Sequence, residues 1–261
     1  MKVRDQVVVV TGGADGIGKA LCERFHKEGA KRVIVADING KGAEAVARSV
    51  GGVGYMCDVS KEADIVRIVE ETEARVGPIA LFCSNAGIVD RTASPDNAAS
   101  TTNENWERSW QVNVMAHIYA ARALLPRMIE RKNGYFLQTI SAAGLLSQIG
   151  SAVYATTKHA GVGFAEVLAI THRDQGIRVS ILCPQGVDTK LLRDGTRGPQ
   201  HLDGVLTTEQ VADDVIQGLE RESFLILPHP QVATYMKNKA ENYDRWLGGM
   251  VKLKRSLAAG A

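Results

Sequence analysis

Tyr154 and Lys158 lie four residues apart, in Tyr154-Ala-Thr-Thr-Lys158, where a stretch of helical period begins. A spacing of four puts both side chains on one helix face. A free phenol, with a pKa of about 10, is a poor base at neutral pH. A neighbouring ammonium favours the phenolate, so Tyr beside Lys⁺ is suited to exchange a proton with an alcohol or carbonyl oxygen. The spacing alone is weak evidence, and it recurs at Tyr235 and Lys239. Position separates the two copies. Tyr154 follows an apolar run ending at Ile140 and the turn Ser141-Ala-Ala-Gly144, whereas Tyr235 comes after the last apolar run, near Met236 and Trp246. Tyr235 is therefore expected to pack or to form an interface.

A second constellation opens the chain. Val7–Val10 runs into Thr11-Gly12-Gly13-Ala14-Asp15-Gly16-Ile17-Gly18, and a helical pattern follows. Gly12 suits the tight turn, Gly16 lets backbone approach a pyrophosphate, and Gly18 lets helix and strand pack closely; the diphosphate would sit at the positive helix end. The spacing is Gly-x-x-x-Gly-x-Gly and departs from the common dinucleotide fingerprint. Asp37, nineteen positions after Gly18, ends the second apolar run, where a carboxylate would accept from the adenosine ribose hydroxyls. It would repel a 2′-phosphate. No Arg or Lys stands beside it, so NAD(H) is expected over NADP(H).

These residues need elements to hold them. Strands are expected at Val7–Val10, Arg32–Ala36, Val53–Cys57, Ile79–Cys83, Tyr135–Ile140, Arg178–Leu182 and Phe224–Leu227. Helical patterns fill the gaps: Gly16–Glu28, Gly42–Val50, Ala63–Val76, Glu104–Arg131, Ala152–Arg173 and Thr208–Glu220. The strands lack polar alternation, as in strands buried on both faces. Their alternation with helices predicts an α/β fold, a doubly wound parallel sheet of about seven strands with helices on both faces. Two stretches resist assignment, Ile88–Asn103 and Thr189–Leu206. Both follow strands, so both belong at the carboxyl edge, where open α/β sheets bind ligands; they are the expected rim and, over 189–206, the expected substrate lid.

Composition bounds the reading. The 261 residues are 45% hydrophobic, and 31 Lys+Arg nearly balance 29 Asp+Glu. That excludes a disordered chain, and without a concentrated basic face no nucleic-acid partner is expected. The basic cluster Lys252, Lys254 and Arg255 reads as a solvated tail. No run approaches the roughly 18 apolar residues of a membrane span, and Val7–Val10 is too short for a secretory signal. Cys22, Cys57, Cys83 and Cys183 lie inside apolar segments without metal spacing and read as small buried hydrophobes in a reducing compartment. A single domain over 1–261, a cytoplasmic location and no metal are expected.

Taken in order, Thr11–Gly18, Asp37, Asp58-Val59, Asn85-Ala86-Gly87, Asn113, Ser141, Tyr154…Lys158 and Pro184 through Thr189 resemble the short-chain dehydrogenase/reductase family, in its short single-domain branch, over about residues 5 to 227. The resemblance implies a Rossmann-like sheet and a hydride-transferring oxidoreductase. It implies a catalytic set of Asn113, Ser141, Tyr154 and Lys158: Ser141 bonding the reacting oxygen, Lys158 holding the nicotinamide ribose and tuning the tyrosine, Asn113 holding a water that links Lys158 to solvent. Cofactor contacts are implied at Gly12, Asp15, Gly16, Ile17, Gly18, Asp37, Ile38, Asp58 (to the adenine amino group), Val59, Asn85, Ala86, Gly87, Pro184, Val187 and Thr189. The sequence departs from the family at Ser84, where Asn is usual, and at Gln185, inserted into the usual Pro-Gly. Gln185 is expected to line the substrate pocket and bond a polar group there.

The expected pocket wall is mostly apolar: Ala143, Leu145, Leu146, Gln148, Ile149, Leu191 and Leu192, with Ser141 at the reacting end. It favours a hydrophobic secondary alcohol or ketone. Lys190, Arg193 and Arg197 in the lid could instead meet a carboxylate or the phosphates of an acyl thioester, so a 3-hydroxyacyl-CoA dehydrogenase is the alternative; a solvated face balanced by Asp194 and Asp203 is the plainer reading. Carrier-protein reductases of the family generally use NADPH, which Asp37 opposes. A dinucleotide sensor without turnover would have no use for the acid/base pair. Small and apolar residues on the two long helices (Ala116, Ala120, Ala160, Gly163) and the resemblance imply a homo-oligomer, tetramer favoured. The segment 228–261, with Trp246, Leu247 and Met250, is expected to be an interface, or to fold back over its own pocket.

Overall fold

Val7–Val10 are all buried, with Val8 and Val10 in one apolar cluster and Val7 and Val9 in another. A strand whose alternate side chains enter different cores must lie between two layers. The computed structural model describes residues 1–94, 96–194 and 198–259. In chain order these form β1 (Val7–Thr11), α1 (Gly16–Lys27), β2 (Arg32–Asp37), α2 (Gly40–Ser49), β3 (Val53–Met56), α3 (Glu62–Arg75), β4 (Ile79–Ser84) and α4 (Asn103–Trp110). A π-helical turn, Gln111–Met115, joins α4 to α5 (Ala116–Glu130). Then come β5 (Gly134–Thr139), α6 (Ala152–His172), β6 (Ile177–Leu182), the single turn α7 (Lys190–Arg193), α8 (Thr208–Glu220), β7 (Leu225–Ile226), α9 (Gln231–Glu241) and α10 (Tyr243–Ala259).

The seven strands form one parallel sheet in the order β3-β2-β1-β4-β5-β6-β7. On one face α1, α2 and α8 deliver Leu21, Phe25, Val46, Val215 and Leu219 onto Val8, Val10, Val35 and Leu81. On the other, α3, α5 and α6 deliver Ile65, Ile68, Leu124 and Leu168 onto Val9, Ile34, Phe82 and Phe136. This is the expected doubly wound fold. The order reverses between β1 and β4, and the crevice at their carboxyl ends is where such sheets hold ligands.

Two expectations are corrected. The pattern read as one helix over Glu104–Arg131 is three pieces, because the π turn shifts the register within it. The segment after Leu227, to which the patterning assigned no helix, holds two. All four cysteines are buried, and burial pushes the Cys57 and Cys183 thiols up to about 12.

Candidate active site

The glycine turn is held by close approach. Gly12 has φ +66°, and a Cβ on it would lie 2.9 Å from Ala86 Cα; one on Gly18 would lie 2.0 Å from the Gly12 carbonyl oxygen. Asp15 caps α1 by accepting from the Gly16 amide at 2.7 Å. Gly16, at φ +54°, faces Thr189 across the crevice, 3.1 Å from where its Cβ would be. Thr189 in turn caps α7. Asn85 fastens the turn to the sheet: its side-chain amide donates to the Thr11 carbonyl at 3.1 Å, and its carbonyl accepts from the Thr139 hydroxyl at 3.0 Å. The Thr11 hydroxyl accepts from the amides of Asn85 and Ala86.

Asp37 ends β2 with its carboxylate already oriented. One oxygen accepts from the Ala14 amide at 3.1 Å, the other from the Asn39 amide at 2.9 Å. Beside it Ile38 is 71% exposed. Asp58 lies past the end of β3, accepting from the Ser60 hydroxyl at 2.6 Å and from its amide; the Ser60 bonds hold its carboxyl below the usual carboxylate value. Val59 is buried, and Ile17 packs against the core under α1.

Ser141, Tyr154, Lys158 and Asn113 come together at the same edge. Ser141 has φ +137° and ψ 154°, a region that costs a non-glycine residue roughly 1–3 kcal/mol and persists only when neighbours enforce it. They do: the Ala142 amide donates to the Pro184 carbonyl at 2.9 Å, and the Ser141 hydroxyl accepts from the Ala143 amide at 3.1 Å. Ser151 caps α6 by accepting from the Tyr154 amide at 3.4 Å, which sets the tyrosine in the first turn. The Ser141 hydroxyl acts on the Tyr154 phenol as a hydrogen-bonding group that pulls its pKa down. The Lys158 ammonium stands 5.5 Å from the centre of the Tyr154 ring and donates to the Thr139 carbonyl at 3.1 Å. Asn113 sits in the π turn, a common device at functional sites. Its amide accepts from the Ile88 N–H at 2.9 Å, donates to the Ile88 carbonyl at 2.9 Å and donates to the Thr157 hydroxyl at 3.2 Å. Gly87 lies between, a Cβ there being 3.3 Å from both Asn113 Oδ1 and Lys158 Nζ.

The electrostatics differ from the sequence expectation. Burial raises the Tyr154 phenol above its ordinary 10, only partly opposed by the Ser141 bond. Burial also lowers the Lys158 ammonium to about 8. In the chain by itself desolvation therefore sets the direction for both groups.

The expected pocket residues divide. Ala143 is buried. Gln148 donates to Gln200 in the lid segment at 3.4 Å. Leu191 is exposed, and its carbonyl accepts from Arg91, joining rim to lid. The Gln185 amide donates to His229 Nδ1 at 3.1 Å, while its side-chain oxygen is buried with no partner among the described residues. Arg193 pairs with Asp188 at 2.7 Å; of the acidic residues expected to balance this face, Asp203 accepts from the Tyr235 hydroxyl. Arg197 lies outside the described residues. Val187 forms a parallel bridge to Leu206, at the ends of the segment expected to be the lid.

Sequence reasoning missed Thr139, Thr157, Ser151 and His229, and gave Lys239 no role beyond the second Tyr…Lys spacing. Ser151, a serine just ahead of a helical pattern, carried a readable capping signal; the others depend on long-range contacts. Among the described residues, no group of three His, Cys, Asp or Glu could hold a metal, and no helix is long and apolar enough to cross a membrane.

Comparison with known proteins accords with this geometry. The chain is 31% identical over 254 residues to 1-deoxy-11-beta-hydroxypentalenate dehydrogenase of Streptomyces exfoliatus, covering 94% of this chain and 90% of that one. It is 30% identical to human epidermal retinol dehydrogenase 2, covering 87% and 75%. The crystal structure of 3-ketoacyl-(acyl-carrier-protein) reductase from Brucella melitensis complexed with NADH superposes with a TM-score of 0.78 at 28% identity, over 86% of this chain and 96% of that one. The family model for short chain dehydrogenase matches residues 6–199. With the reversal of strand order, the glycine turn and the four polar side chains at one edge, that match shows that the chain belongs to the short-chain dehydrogenase/reductase family of oxidoreductases.

Proposed function

We propose that this protein is an NAD(H)-dependent oxidoreductase that interconverts a hydrophobic secondary alcohol and its ketone. The observation that carries the reading is the convergence of Ser141, Tyr154, Lys158 and Asn113 beside the glycine turn, from three different elements: the turn after β5, α6 and the π turn. The crevice fits a dinucleotide: Gly16 leaves space opposite Thr189 that a Cβ would narrow, and Gln185 offers a buried acceptor without a partner among the described residues. A nicotinamide held there would supply the hydride acceptor or donor. The carboxylate of Asp37, fixed by two backbone amides, supports NAD(H), because a 2′-phosphate would meet it at close range. Contacts along Gly12, Asp15, Ile17, Gly18, Ile38, Asp58, Val59, Asn85, Ala86, Gly87, Pro184, Val187 and Thr189 complete the cofactor site.

The chain's own residues move the proton. With its pKa raised by burial, Tyr154 is protonated at neutral pH, the form that donates to a carbonyl oxygen during reduction. In oxidation it must first release its own proton toward solvent and then, as the anion that Ser141 favours, accept the alcohol proton. Ser141 shares the developing charge on the reacting oxygen. Lys158, with a value of about 8, keeps its proton at pH 7, and Asn113 ties its neighbourhood to the Ile88 backbone at the rim.

The apolar wall of Ala143, Leu145, Leu146 and Leu191 supports a hydrophobic substrate, and the pentalenate and retinol dehydrogenases, by their names, act on such molecules. The second reading, an acyl thioester dehydrogenase, is supported by the Brucella reductase: its complex with NADH means that Asp37 does not by itself argue against acyl substrates. A turnover screen of hydrophobic secondary alcohols and 3-hydroxyacyl thioesters with both coenzymes tests the proposal. Activity with NAD⁺ and an alcohol is expected, and Tyr154→Phe should lower turnover about 10²–10⁴-fold. Wild-type turnover in that variant, or a lower KM for NADPH than for NADH, defeats it.

A further inference from the structure

The second Tyr…Lys pair, Tyr235 and Lys239, proves to be neither exposed nor merely packed. Lys239 is 9% exposed. Its ammonium donates to the carbonyls of Leu145 and Leu146 at 2.9 and 2.7 Å and lies 4.9 and 5.4 Å from the ring centres of Trp246 and Tyr243. A charge withdrawn from water is retained only where hydrogen bonds and electrostatics replace hydration, and here two carbonyl dipoles and two aromatic faces do so. The carbonyls belong to the turn that starts at Ser141: the Leu145 and Leu146 amides donate back to the Ala142 carbonyl, and the Ala142 amide donates to Pro184. Two further contacts come from the same C-terminal segment. Tyr235 donates to Asp203 in the lid at 3.0 Å, and His229 accepts the Gln185 amide at 3.1 Å. The substrate turn, the lid and the Gln185 loop are thus fastened to one segment, at His229, Tyr235 and Lys239.

We propose that Lys239 is a positioning residue that sets the substrate turn, and through it the size of alcohol the pocket admits. The inference rests on the proposed function, because it concerns the substrate half of that same site. Lys239 touches no reacting atom. Its effect is carried by the strained Ser141 turn, Ser141 lying four residues before the first carbonyl it holds.

The test compares the full-length wild type with Lys239→Met, Lys239→Arg and Trp246→Leu. It reads amide hydrogen exchange over 142–149, NADH affinity by fluorescence titration, and KM and kcat for secondary alkanols of increasing chain length. In Lys239→Met the amides of Gly144, Leu145 and Leu146 are expected to exchange about tenfold faster or more, a change of about 1.4 kcal/mol in local opening. KM should rise and the chain-length preference shift, with NADH affinity unchanged. Lys239→Arg should recover most of the protection, and Trp246→Leu should give a smaller change in the same direction, which keeps a folded variant available if Lys239→Met does not fold. Unchanged exchange over 142–149, or faster exchange spread evenly through the sheet, overturns the inference. If the wild type binds NADH but oxidises no alcohol, the proposed function fails and the exchange result still decides the role of Lys239.

Discussion

His117 lies four residues after Asn113, on the inner face of α5, fully buried, and neither ring nitrogen has a partner among the described residues. Burial holds its pKa down at about 3, with the nearby Lys158 ammonium acting in the same direction. An unfolded histidine titrates near 6.5, so below about pH 6.5 the unfolded chain binds a proton that the native state refuses. Stability is then full above about 6.5 and falls as pH drops toward 3, by up to about 1.4 kcal/mol per pH unit for this one group. Urea midpoints at pH 7, 6 and 5 should decline accordingly. In His117→Leu, which removes the titrating ring and stays apolar, the decline should flatten; an equally steep decline in that variant would mean that other groups govern acid sensitivity. The same desolvation acts on Tyr154 and Lys158, and it explains why a rule about neighbouring charges, read from sequence, gave the wrong direction for the phenol.

At the scale of elements, the expected strands and most helices were legible because each strand is an uninterrupted apolar run and each helix a periodic one. The π turn was not. Gln111–Met115 continues the polar and apolar character of its neighbours, and only the backbone shows the extra residue that turns Asn113 toward Ile88. The C-terminal helices were also hidden: α10 carries Gly248 and Gly249 in mid-helix, which weakens a helical reading, and Lys239 meets its carbonyls nearly a hundred residues away in sequence. The glycine turn was legible for a physical reason that can be tested. Gly18→Ala would push a methyl to 2.0 Å from the Gly12 carbonyl oxygen and 2.6 Å from the Asn85 amide nitrogen, an overpacking that costs about 1–3 kcal/mol. The urea midpoint should fall and NADH affinity weaken together. Gly248→Ala, where nothing lies within 4 Å, should instead favour α10 by up to about 1 kcal/mol. If the two variants unfold alike, the close-packing role of Gly18 is wrong.

For the whole molecule, the question is what covers the outer face of α5 and α6. Leu124 and Leu168 turn inward to the sheet, while Val167 and Ile170 on α6 are 62% and 80% exposed. Val167 lines a groove with Ile118, Leu125 and Phe164, and Ile170 follows three residues later on the same helix. A helix apolar on two sides is unusual at a free surface, and contiguous apolar patches of this kind mark association sites. A two-fold axis would let α5 and α6 of one subunit meet their equivalents in a second, since an isologous interface needs a self-complementary patch. With a formal net charge of only +2, long-range repulsion offers little opposition to association. The expected state at micromolar concentration is an oligomer, and Ile170→Asp should dissociate it by at least one step, read as a lower sedimentation coefficient. NADH affinity should be retained, because the substituted side chain lies on the face of α6 turned away from the crevice. A wild type that sediments as a monomer would leave that apolar face without the partner proposed for it.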